Sequence, residues 1–125
     1  GAAAAIVGPL LGLSPSENTS SADGRGAMVI ISLACYLILA PLIEEIVFRR
    51  LLMGYLDRSV PAIASVLFSS VLFGAAHIAP PVIVYATFLG MGCALVTRFH
   101  NSLRAGFILH LVNNLTVQLI AISAL

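Results

Sequence analysis

Long apolar stretches separated by short polar breaks set the pattern of this chain. The first runs from Ala27 to Leu56 and ends at Asp57 and Arg58. The second runs from Val60 to Ile78 and stops at Pro80 and Pro81. The third covers Val82 to Val96, and the fourth begins at Ser102 and continues to Leu125. At ~1.5 Å per residue each is about long enough to cross a ~30 Å hydrocarbon core, the third only marginally. Backbone groups in lipid must satisfy one another within the segment, so these stretches predict helices rather than strands. Residues 1–13 are apolar but too few to span. They lack the basic leader of a signal peptide and read as the stump of a preceding transmembrane helix or as a re-entrant piece. Residues 14–26, rich in Ser and Gly, read as a loop outside the membrane. The expected fold is an all-α polytopic membrane bundle. It has about four transmembrane helices in residues 27–125, preceded by the stump and an extracytoplasmic loop in residues 1–26.

Composition supports the membrane assignment. Hydrophobic residues make up 60% of the 125 and charged residues 9%, against about 25% charged in a typical soluble domain. Such a list does not supply a water-facing surface. All six basic residues are Arg, and no basic tract is interleaved with aromatics, so nucleic-acid binding has no support. Cys35 and Cys93 are lone cysteines in apolar runs, read as small buried side chains. Arg58, Arg98 and Arg104 fall in the breaks at one end, with Arg49 and Arg50 nearby, and the excess predicts that this end faces the cytoplasm.

The informative residues are the polar ones at apolar depth: Glu44, Glu45, Arg49, Arg50, His77, His110, Asn113 and Asn114. A charged side chain at the bilayer centre costs about 2.5–3.5 kcal/mol on insertion scales, so two adjacent glutamates need a compensating role. Glu45 and Arg49 are four apart with the acid N-terminal, the favourable order for an intrahelical pair. That leaves Glu44 on a different face, free for chemistry. A carboxylate withdrawn from water suits a general base working near neutral pH. Pro41 removes an amide donor one turn earlier and predicts a kink just before the glutamates. Phe73 and His77 share a helical face, as do His110 and Asn114, a pair able to donate two hydrogen bonds to one oxyanion. The plain alternatives are an ion-pair network that locks the helices and interhelical hydrogen-bond glue. Counted from the Arg-rich breaks, Glu44 and Asn114 both lie ~18 Å deep, His110 ~12 Å and His77 ~25 Å. One shared site is compatible with these depths, although His77 is deep.

Three short patterns occur in order. Glu44-Glu45-Ile46-Val47-Phe48-Arg49 resembles the EExxxR motif of the CAAX-protease and bacteriocin-processing (CPBP, Abi) membrane endopeptidases. Arg50 follows where Gly is common. Phe73-Gly74-Ala75-Ala76-His77 resembles the FxxxH motif, and His110-Leu111-Val112-Asn113-Asn114 the HxxxN motif. The resemblance covers about residues 36–116. It implies that Glu44 and His77 activate a hydrolytic water and that His110 and Asn114 stabilise the oxyanion, with Glu45, Arg49 and Phe73 in support. It also implies peptide or protein substrates near the membrane and no cofactor. The Ala- and Arg-rich, Lys-free composition points to a GC-rich bacterial genome and the inner membrane, where prenylated substrates are unexpected.

Rival chemistries remain open to different degrees. Glu44, His77 and His110 are the three candidate ligands of a zinc-dependent variant, although no HExxH is present. Ser70 and His77 are seven apart on one face, but no GxSxG surrounds the serine. No Asp lies within the apolar segments, which excludes an aspartyl protease. A non-catalytic scaffold or bacteriocin-immunity protein on the same fold is the alternative from a different class, distinguished by tolerance of Glu44→Gln.

Overall fold

A computed structural model describes residues 22–124, all helix and short turns. The stump expected over residues 1–13 lies outside the described residues, as does the loop expected over 14–26 up to residue 21. The remaining residues of that loop are helical, because the first helix, α1 (Ala22–Ala34), starts earlier than the apolar pattern does. Gly24 to Ile31 of α1 are exposed, Met28, Val29, Ile30 and Ile31 among them.

From Ser32 onward the chain forms one compact unit. It opens with a π-helical turn, π1 (Cys35–Leu39), then α2 (Ala40–Glu45), a second π stretch, π2 (Ile46–Leu52), and α3 (Met53–Leu56). Pro41 explains the first irregularity. It cannot donate to the ladder, and the turn before it widens, with the Ala40 amide reaching back five residues to the Cys35 carbonyl. The kink expected before the glutamates takes the form of this π turn. At the other end of π2 the Met53 amide likewise reaches the Phe48 carbonyl. Each extra residue in a turn rotates the remainder of the helix by about 100° relative to a regular one. The glutamate pair therefore sits on a short α segment between two changes of phase.

Three further helices complete the unit: α4 (Ala62–Ala75), α5 (Pro80–His100) and α6 (Leu103–Ser123). Pro80 and Pro81, which the apolar pattern treats as a break, are the first turn of α5, where a missing amide and a fixed φ cost nothing. With these two residues and the continuation through His100, the marginal third segment becomes 21 residues, long enough to span. Asn101 ends α5 in the left-handed region, at φ 47°, and turns the chain into α6. The second segment is shorter than expected. Its 14 helical residues reach only ~21 Å.

Solvent preference is inverted relative to a water-soluble domain. Leu, Ile, Val and Phe side chains line the outside, for example Ile43, Phe68, Phe88 and Ile108, all more than half exposed. The fully buried set includes Glu45, Ser65, Ser69 and Ser70, and Arg49 and His110 are nearly so. A bundle whose surroundings are hydrocarbon keeps apolar groups outside and pairs its polar groups within. Three helical runs, Gly24–Leu56, Pro80–His100 and Leu103–Ser123, are long and apolar enough to cross a bilayer. With the shorter α4 they make a polytopic helical membrane bundle.

Small residues let the helices approach. A β-carbon on Gly74 would strike the Thr87 hydroxyl and come within 2.7 Å of the Ile83 carbonyl, so α4 and α5 meet backbone to backbone there. Ser65 and Ser69 of α4 tie it to the first helical run. Their hydroxyls donate to the Met53 carbonyl at 3.1 Å and the Phe48 carbonyl at 2.9 Å. At the Arg-rich end Arg98 pairs with Asp57, which places the two breaks between segments at the same end of the bundle.

Candidate active site

His110 on α6 is the centre of the polar cluster. Its Nδ1 lies 3.2 Å from Glu45 Oε1 and its Nε2 lies 3.5 Å from Glu44 Oε2. One imidazole therefore stands between two adjacent carboxylates of α2. The two differ sharply in surroundings. The Glu45 side chain is fully buried, with its second oxygen 3.4 Å from Arg49 Nε. The Glu44 side chain is 34% exposed.

Arg49 is held on several sides. Its Nη1 donates to Ser69 Oγ at 3.1 Å, and Ser69 in turn donates to the Phe48 carbonyl. Its guanidinium lies over the Phe73 ring, 5.0 Å from the centroid, a favourable place for a desolvated cation. Phe73 is completely buried and packs against three other rings. Its ring is 5.2 Å from Phe48, 5.2 Å from His77 and 5.5 Å from His110, the first and last edge to face.

His77 lies just past the end of α4, half-buried. Its Nδ1 is 3.0 Å from the Phe73 carbonyl. A carbonyl only accepts, so Nδ1 carries the proton and Nε2 is left for other work. Asn114, one turn beyond His110, points its amide at the Tyr36 carbonyl of π1 at 3.5 Å. It also accepts from Asn113 at 3.3 Å, and Asn113 accepts from the Tyr85 hydroxyl.

Two glycines make room for this arrangement. A β-carbon on Gly106 would lie 2.7 Å from Glu45 Oε2 and 3.1 Å from the Cys93 carbonyl. One on Gly90 would lie 2.9 Å from Phe73 Cδ1 and 3.3 Å from Arg49 Nη2. No motif reading singles out Gly90, Gly106 or Ser69, or finds Tyr36 beside Asn114. Ser69 lies four residues before Phe73, one turn along the same face of α4, which is the signal that marks it for the cluster.

The zinc alternative does not map onto its expected ligands. Among the described residues, the group whose donor atoms lie within 4.8 Å of one another is Glu45, Cys93 and His110, all buried. Glu44, His77 and His110 are not brought to that spacing. The buried trio is a poor fit to a catalytic metal. The Arg49 guanidinium already faces Glu45, and a second cation there meets it at close range. Ser70 donates to the Val66 carbonyl at 2.7 Å within its own helix and makes no hydrogen bond to His77.

No curated protein and no solved structure matches the chain. A family model does match, over residues 26–116: type II CAAX prenyl endopeptidase Rce1-like. That span takes in most of the chain and every residue of the cluster around His110, and it makes the chain a member of the Rce1-like family of CAAX-type intramembrane endopeptidases.

Proposed function

We propose that this protein hydrolyses peptide bonds near the membrane with a water activated by Glu44. One contrast carries the reading. Of two adjacent carboxylates that share His110, Glu44 is one-third exposed while Glu45 is sealed against Arg49. An accessible carboxylate beside the His110 imidazole suits a general base, and a sealed one suits an anchor.

In this mechanism water is held between Glu44 and His77 Nε2. Glu44 takes the proton as the oxygen attacks the scissile carbonyl. The developing oxyanion is met by His110 Nε2–H and by the Asn114 amide, which turns from the Tyr36 carbonyl toward the substrate. Glu44 then passes the proton to the leaving amine. Glu45 holds Nδ1–H of His110 and so fixes the ring, as a buried carboxylate does for a catalytic imidazole. Arg49, Ser69 and Phe73 position the carboxylate and the rings. The proposed mechanism uses no metal, and Arg49 supplies positive charge beside Glu45.

The substrates are peptides or protein tails at the membrane, and the family name makes CAAX-type C-terminal peptides the first to try. The Arg-rich end faces the cytoplasm, in a bacterial inner membrane. The test is cleavage of quenched-fluorescent peptides by protein in detergent, with wild type and Glu44→Gln compared with and without a strong chelator. Loss of cleavage in Glu44→Gln, with no effect of the chelator, is expected. Chelator sensitivity reversed by zinc overturns the metal-free mechanism. Equal behaviour of wild type and variant on every peptide returns the scaffold reading.

A further inference from the structure

The mechanism leaves Arg50 unassigned, together with a cavity at the Arg-rich end of the bundle. The cavity has a volume of about 280 Å³ and lies where π2, the end of α5 and the start of α6 come together. Arg49, Arg50, Arg98, Asp57, Asn101 and Ser102 line it. We infer that this cavity is a binding site for a phosphate oxyanion, supplied by the head group of an anionic phospholipid.

The charges favour an anion. Three arginines contribute to the cavity wall against one carboxylate, Asp57, which Arg98 already engages. Arg49 is shared with Glu45. Arg50 makes no ion pair with any described residue, so its positive charge is uncompensated. The backbone adds to this. Ser102 precedes the 21-residue helix α6 and makes no side-chain cap. The first amides of α6 are therefore left to other partners at the positive end of the helix dipole, an arrangement that suits phosphate.

A second observation is independent of the helix start. Arg49 has a fully buried side chain and forms part of the wall; its Nε faces the Glu45 carboxylate, and its Nη2, beside Phe73, has no hydrogen-bond partner. The Nε of Arg98, another wall residue, is also buried without a partner. Buried guanidinium donors left unpaired are costly, and phosphate oxygens satisfy several at once. The volume is just below the range of drug-sized pockets and suits a head group.

Lipid is the expected source because of where the cavity lies. It sits at the ends of spanning helices, where basic pockets between helices meet lipid head groups. Ser102 also borders an apolar groove along α6, formed by Ile108, Leu109 and Val112 with Arg104 at its polar end. A head group at the start of α6 thus has a path for its acyl chain beside it.

The experiment is native mass spectrometry of the protein equilibrated with phosphatidylglycerol and phosphatidylcholine of equal chain length. It is run on wild type, Arg50→Gln, Asn101→Asp and Arg58→Gln. Arg50 is exposed and unpaired, so its loss leaves the fold intact. Asn101→Asp places a negative charge at the cavity with little change in shape. Arg58 carries the same charge near the same end but does not line the cavity. Wild type is expected to retain the anionic lipid, and Arg50→Gln and Asn101→Asp to lower that preference about fivefold. Arg58→Gln should keep it. If inorganic phosphate binds the delipidated wild type but not Arg50→Gln, and displaces the lipid, the oxyanion site stands with the free ion as its ligand. Equal loss in Arg50→Gln and Arg58→Gln, or no preference in wild type with no phosphate binding, overturns the inference. None of these readouts depends on peptidase activity.

Discussion

At the scale of single residues, the two glutamates make opposite predictions. Glu44→Gln removes the proposed base but no buried ion pair. Cleavage should fall by at least about a hundredfold, with the unfolding temperature in detergent nearly unchanged. Glu45→Gln leaves Arg49 buried without its carboxylate, a loss of about 3–5 kcal/mol when one partner of a buried pair is removed. Its first symptom should be a lowered unfolding temperature, with activity following stability. If Glu45→Gln unfolds like wild type, the anchoring role assigned to Glu45 is wrong. Ser69→Ala tests the same anchor from the other side. It strips an acceptor from Arg49 Nη1 and a donor from the Phe48 carbonyl, and should cost about 1–3 kcal/mol, measurable as a shift in thermal unfolding.

At the scale of helices, the approach of α6 to its neighbours is set by what Gly106 lacks. Gly106→Ala introduces a methyl group that meets Thr97, the Glu45 carboxylate and the Cys93 carbonyl. Two of these are backbone or buried polar groups that yield little. The helix must move outward, carrying His110 away from both glutamates. Peptide cleavage should drop more than about tenfold while helix content by circular dichroism is kept. Unchanged cleavage would mean that the cluster tolerates a looser α6.

The same scale shows why sequence reading stops where it does. The apolar stretches and the polar residues within them are legible because lipid imposes a simple rule on composition. The Glu45–Arg49 pair is legible because it lies within one helix. Pro80 and Pro81 look like a break, yet open α5, since the physics that forbids proline inside a helix permits it in the first turn. The π turns depend on where an amide finds a carbonyl, which no side-chain pattern records. Glu45 as a partner of His110, across 65 positions, is a property of packing alone. Glu44, expected to be withdrawn from water, is instead 34% exposed, and both glutamates reach the same ring. The proposed pairing of His110 with Asn114 shares a helix face as spacing requires, with the Asn114 amide at rest on Tyr36.

At the scale of the whole molecule, the bundle is closed at its Arg-rich end by Arg98 and Asp57, both partly exposed. Such a pair contributes about 0–1 kcal/mol. Asp57→Asn should therefore leave the unfolding temperature within a few degrees of wild type, and a large drop would show that the two breaks depend on that pair. Larger losses are expected from breaking the buried polar cluster or the close approach at Gly74, Gly90 and Gly106.

The short helix α4 has a consequence for the membrane itself. Its ~21 Å is about two-thirds of a ~30 Å hydrocarbon core, and hydrophobic mismatch is relieved by pinching the bilayer or by letting head groups and water sink toward the helix end. His77 stands at that end. In the proposed mechanism such thinning brings the aqueous phase toward His77, so that a substrate need not be drawn fully into lipid. Turnover in nanodiscs of short-chain lipid should exceed that in long-chain lipid of the same head group, since the thinner bilayer no longer resists the dimple.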